Sequence, residues 1–70
     1  MEAIILSIGD ELVLGQTVDT NSAWLADAAW GAGTSVTRIL TVGDTIEDIR
    51  WALTSAAESA SVVVCTGGLG

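Results

Sequence analysis

Apolar residues in this chain gather in short continuous runs, separated by longer stretches in which they recur at helical spacing. Ala3 to Ile8, "AIILSI", is apolar except for Ser7 and ends at Gly9. Such a run predicts a strand buried on both faces, as in a parallel sheet. Val36 to Val42 alternates and then runs apolar up to Gly43, and Val62 to Thr66 is again mostly apolar, so both predict strands.

Two helices are expected between the strands. The first starts near Thr20 to Ser22, where several side chains can cap free backbone amides, and it carries Trp24, Leu25, Ala28, Ala29 and Ala32 on one side before Gly31 and Gly33 stop it. The second opens at Thr45 to Asp48, "TIED", a capping-box-like start, with Ile46, Ile49, Leu53, Ala56, Ala57 and Ala60 as its apolar stripe. Trp30 and Trp51 fall outside these stripes. They read either as surface residues, half-buried or under a further element, or as part of a partner surface. The alternation of strand and helix, with crossovers long enough for right-handed βαβ units, predicts an α/β class, parallel-sheet fold, the first half of a doubly wound domain.

Composition narrows this picture. Seventy residues, half of them apolar and only 16% charged, leave more apolar surface than a chain of this size can cover. A piece of a larger domain or an obligate oligomer is expected, with homo-oligomerisation as the partner expectation. A net charge of −7, from nine acids and two arginines, opposes nucleic acid and anionic membrane as partners. No apolar run approaches the roughly 18 residues of a membrane span, and Met1-Glu2 lacks the basic start of a secretory signal, so a cytoplasmic location is expected. Without His or Lys, and with Cys65 as the single cysteine, serine triads, Cys/His zinc sites and lysine nucleophiles are excluded. Within its apolar strand Cys65 reads as a small hydrophobe.

Ligands of open parallel sheets bind beyond the carboxyl ends of the strands, so the loops there carry the candidate chemistry. They are "GDELVLGQTVDTN", "GDT" and "TGGLG". The first two both open with Gly-Asp, which places Asp10 and Asp44 at the same end of neighbouring strands, with Glu11 and Asp19 close in sequence. Converging carboxylates without a nearby base suit a hard divalent cation, Mg²⁺ or Mn²⁺; alternatively Asp10 and Asp44 cap helices or satisfy loop amides. Thr66, Gly67, Gly68 and Gly70 offer unobstructed backbone N–H groups, a nest for phosphate or another oxyanion, although a tight turn explains three glycines nearly as well. Thr20, Asn21 and Ser22 either hydrogen-bond a sugar or base or cap the first helix.

Together, "IGDELVLGQTVDTNSAWLA", "VGDTIEDI" and "CTGGLG" resemble the amino-terminal domain of the CinA family, the competence/damage-inducible proteins, within the wider molybdopterin-binding-like (MoCF) group. The resemblance runs over essentially the whole chain. It implies a three-layer α/β/α domain, of which residues 1–70 are the amino-terminal part, the next helix with its Pro-Thr and acid pair lying past Gly70. It implies a nucleotide ligand and, in the complete parent, metal-dependent hydrolysis of the pyrophosphate of ADP-ribose to AMP and ribose 5-phosphate. These seventy residues alone are expected to be inactive. The alternative is a non-hydrolytic molybdopterin or nucleotide binding module related to molybdenum cofactor biosynthesis. Carried over by position, Asp10 and Asp44 are the catalytic and metal candidates, with Mg²⁺, Mn²⁺ or Co²⁺ and potassium as the expected ions. Gly9, Glu11, Asp19, Thr20, Asn21, Gly43, Thr66, Gly67, Gly68 and Gly70 are the binding candidates.

Overall fold

A computed structural model describes residues 1–67 of the chain. In chain order it contains β1 (Glu2–Ile8), α1 (Asp10–Val13), α2 (Thr20–Gly31), β2 (Ser35–Val42), α3 (Ile46–Ser59) and β3 (Val62–Gly67). The three strands form one parallel sheet in the order β2-β1-β3. The expected α/β class and parallel sheet are therefore present, with β1 in the centre. Ala3, Ile4, Ile5, Leu6 and Ser7 are all almost completely buried, as a strand covered on both faces requires. Each large aliphatic side chain sealed there contributes about 1.5–3 kcal/mol relative to exposure.

The pleat of β1 sends alternate side chains to opposite faces. Leu6 and Ile8 pack with Ala52 on the α3 face, joined by Ile49 of the same helix and Leu40, Val42 and Val63 of the flanking strands. Ala3 and Ile5 face an apolar groove that Leu25 and Ala29 of α2 border on the other side of the sheet. The helices thus lie on opposite faces, because the crossover from β1 to β2 and the one from β2 past β1 to β3 run in opposite directions and each keeps its right hand.

Each helix turns part of the predicted stripe to the sheet, Ile49 and Ala56 on α3 and Leu25 and Ala29 on α2, while other members of the stripe are rotated outward. On α3 the sealed residues are Ala52 and Ala56, whereas Ile46 and Leu53 are 75% and 41% exposed. On α2, Ser22 is buried and Leu25, Ala26 and Ala29 are half-buried, while Trp24, expected inside, is exposed. The reason is the same in each case: small residues let a helix backbone approach the sheet, and bulky neighbours are rotated outward. Trp30 and Trp51 are exposed, as their position off the stripes implied. Cys65 is exposed rather than packed as a small hydrophobe: it shares the α3 side of the sheet with Val63, but β3 is an edge strand among the described residues and the cover does not reach Cys65.

The helix ends follow the local chemistry. Thr45 caps α3 by accepting the Asp48 amide at 3.1 Å. After α2, Gly33 adopts a φ of +83°, its amide reaches the Trp30 carbonyl at 3.0 Å, and the Thr34 amide reaches that of Ala29 at 2.9 Å. This is the double hydrogen bond of a Schellman ending, whose left-handed residue favours glycine. The stretch expected as a plain loop after β1 contains the single turn α1, a structure too short to leave a periodic signal.

Candidate functional site

Strand order reverses at β1, and in open parallel sheets the crevice at such a reversal, beyond the strand carboxyl ends, is where ligands bind. A cleft of about 150 Å³ lies there between the ends of β1 and β3. Its walls are Glu11 on α1, Asp19, Thr20 and Asn21 at the start of α2, and Thr66 and Gly67 at the end of β3. All six are residues the sequence singled out. Ser7 and Ile8 also line it, with Thr17 and Val18 at a further edge, none of which the sequence reading offered as site residues. Ser7 had a visible signal, being the polar interruption of an otherwise apolar central strand.

Asp10 and Asp44 do not line this cleft. They meet on the other side of β1, at the rim shared with β2, where Asp10 Oδ1 accepts the Asp44 backbone amide at 2.9 Å. The Asp10 carboxylate therefore clasps one loop to the next, the loop-amide alternative. Gly43 lies beneath it: a Cβ there would come within 2.9 Å of Asp10 Oδ1, and only a bare backbone leaves the clasp room. Gly9 begins α1, its carbonyl accepting the Leu12 and Val13 amides, and its own amide bonds Val42 across to β2. Gly68 and Gly70 lie outside the described residues.

Gly67 turns at φ +88°, and a Cβ on it would collide with the carbonyl oxygen of Ile8. β1 and β3 thus converge at their carboxyl ends more closely than any side chain permits. Across the cleft, Asp19 caps α2, its Oδ1 accepting the Ser22 amide at 3.1 Å. Burial, the largest single influence on the Asp19 carboxyl, pushes its pKa up, but the neighbouring Ser22 hydroxyl, the Ser22 amide and the neighbouring Ser7 hydroxyl together hold it below the ordinary value. The two hydroxyls act on Asp19 through proximity: among the described residues, Ser7 Oγ, Ser22 Oγ and Asp19 Oδ2 are all buried and none completes a hydrogen bond of good geometry. The formed bond is the one from the Ser22 amide.

Asp10 Oδ1 is engaged by the Asp44 amide, and no three His, Cys, Asp or Glu side chains among the described residues stand together as metal ligands. Among the same residues, no helix is long and apolar enough to cross a membrane.

The model of the family described as "Probable molybdopterin binding domain" matches residues 4–70. The chain belongs to this family. Its relatives include a CinA-like protein from Salinibacter ruber, 51% identical over 70 residues, all of this chain and 17% of that protein. A CinA-like protein from Geotalea uraniireducens is 49% identical over the same 70 residues, again 17% of its length. The crystal structure of the protein CinA from Thermoplasma acidophilum, whose function is given as unknown, superposes with a TM-score of 0.94 at 36% identity, covering 99% of this chain and 41% of that one. The chain thus spans about a sixth of the length of the CinA-like relatives it matches. Membership in the molybdopterin-binding family agrees with the resemblance that the GDEL, VGD and TGGLG segments carry, and with the parallel α/β arrangement.

Proposed function

We propose that the chain supplies one side of a binding site for a phosphorylated nucleotide-type or pterin-type small molecule, seated in the cleft between the ends of β1 and β3. The observation that carries this reading is the close approach at Gly67, where the absence of a side chain lets strand backbone border the cleft opposite the α2 N-terminus. At about 150 Å³ the cleft has room for only part of such a ligand, since drug-sized ligands fill about 300–1,000 Å³. The remainder of the ligand needs walls outside the described residues.

The activity proposed for the whole protein is hydrolysis of the pyrophosphate of ADP-ribose to AMP and ribose 5-phosphate, assisted by Mg²⁺, Mn²⁺ or Co²⁺. It rests on the resemblance of the motifs to the CinA family. The non-hydrolytic alternative, binding of molybdopterin or a nucleotide without turnover, is favoured by a specific feature: the Asp10 carboxylate is committed to the Asp44 amide rather than turned to the cleft.

One experiment separates the two. The full-length protein is incubated with ADP-ribose and each metal ion, AMP release is followed, and binding is measured in parallel by calorimetry. Metal-dependent AMP release supports hydrolysis, and saturable binding with no AMP supports the binding module. Absence of both removes the site as proposed.

A further inference from the structure

β2 forms one edge of the sheet, and no further strand faces its outer side among the described residues. Such an edge offers a row of unpaired N–H and C=O groups to any strand that approaches it. The sequence of β2, "SVTRILTV", strengthens the offer: five of its eight residues are β-branched, Arg38 is its single charge, and it has no proline. Short segments of high β-propensity and low charge, without proline, are those that pair with copies of themselves. Ile39, 46% exposed, adds apolar surface beside the same edge. Lysine and proline, two residues that commonly blunt an edge, occur nowhere in the chain.

The ladder between β1 and β2 contains a different device. Glu2 pairs with Ser35 and Ala3 with Val36, but the next residue of β1, Ile4, pairs with Arg38. Thr37 is therefore an extra residue in β2, a bulge of the kind rarely found between parallel strands. Its hydroxyl donates to the Ala3 carbonyl at 3.4 Å, which ties the insertion to the central strand. On its other side β1 pairs with β3 without a break, from Ala3 with Val62 to Ile8 with Gly67, so the irregularity belongs to β2.

The insertion is not needed to aim the side chains. Val36 lies with Ala3 on the α2 face, and Leu40 and Val42 lie with Leu6 and Ile8 on the α3 face. Val36 and Arg38 oppose adjacent residues of β1 and so occupy opposite faces. With Thr37 removed they would be adjacent in β2 as well, and ordinary alternation would keep every side chain on its present face. What Thr37 changes is the outer edge, whose regular spacing it interrupts and whose twist it increases.

We propose that the Thr37 bulge, with the Arg38 charge beside it, keeps the β2 edge closed to a second copy of this chain. Two copies would meet by the same edge, antiparallel about a twofold axis. The bulge in each strand breaks the run of matched N–H and C=O groups, and Arg38, near the middle of β2, would be brought close to its own counterpart.

The test compares the full-length protein with a variant lacking Thr37, by sedimentation velocity over a range of concentrations and by circular dichroism to verify folding. The deletion variant should fold, and its mass should exceed that of the native protein at the same concentration, rising toward double. Thr41→Pro identifies the surface involved. Val42 turns its carbonyl to the Gly9 amide at 3.0 Å, so Thr41, one residue earlier, directs its own N–H and C=O to the outer edge, where proline removes no bond to β1. Added to the deletion variant, Thr41→Pro should restore the native mass. A deletion variant that folds and matches the native mass at every concentration overturns the proposal, and so does association that survives Thr41→Pro, which would run through another face. Loss of the fold on deletion overturns it too, because Thr37 would then serve the strand itself rather than its edge.

Discussion

The Asp10 carboxylate accepts the backbone amide of Asp44 at 2.9 Å, so a residue following the central strand fastens the loop that follows its neighbour. The bond is solvent-exposed, and Asp10→Ala should cost about 1 kcal/mol in denaturant unfolding. Asp10→Asn retains an acceptor oxygen and should cost less. The pair of variants also separates a clasp from a catalytic carboxylate: in the full-length protein, ADP-ribose turnover that survives Asp10→Asn marks Asp10 as a clasp alone, and turnover lost at unchanged Tm marks it as part of the chemistry.

Gly67 and Gly31 should respond oppositely to alanine. At Gly67 the positive φ and the Ile8 carbonyl both reject a Cβ, and Gly67→Ala should destabilise by at least about 2 kcal/mol. At Gly31 nothing stands within 4 Å of the added carbon and the residue is helical, so Gly31→Ala should stabilise by about 0.5–1 kcal/mol. Urea midpoints of the two variants check the contrast.

Adjacent positions on α3 should differ as sharply. Ala52 is sealed against Leu6 and Ile8, and Ala52→Leu should cost about 1–3 kcal/mol through overpacking. Trp51 is 62% exposed, and Trp51→Ala should change the stability by no more than about 0.5 kcal/mol. Thermal melts of the two proteins suffice.

The cap of α2 predicts an acid dependence. Because the folded pKa of Asp19 lies below its ordinary 3.8, its stabilisation is complete above that value and is lost as the pH falls through the lower, folded pKa. The Asp19→Asn protein should lack this increment and show a shallower loss of stability below about pH 4. An unaltered acid profile in the variant would contradict the assignment.

Much of this arrangement is legible in the residues themselves. "AIILSI" announces a doubly buried strand, Thr45 announces a cap, and the repeated Gly-Asp places Asp10 and Asp44 at one end of neighbouring strands, whereas the cap of α2 is Asp19, one residue before the Thr20–Ser22 stretch expected to supply it. Hydrophobic spacing finds part of each buried helix face, Ile49 and Ala56 on α3 and Leu25 and Ala29 on α2, and misplaces its edge. Leu53 and Ile46 are more apolar than Ala52, but the helix turns by size, and small residues win the position against the sheet. Within the site, the glycine and α2-start residues were readable from sequence. Which side of β1 each loop serves was not, because strand order appears only when the third strand pairs: Asp10 goes to the β2 rim while Glu11 and Asp19 go to the β3 cleft.

The central place of β1 governs how the domain can assemble. Its partners on the β3 side, such as Ala3 with Val62 and Ser7 with Thr66, lie almost a whole described chain away in sequence. β1 leaves the ribosome well before β3 and must therefore wait, apolar and half-paired, until β3 has been synthesised. High contact order of this kind slows folding and lengthens the interval in which aggregation competes. Nascent chains halted before Val62 should bind chaperones more strongly than those that have cleared Gly67.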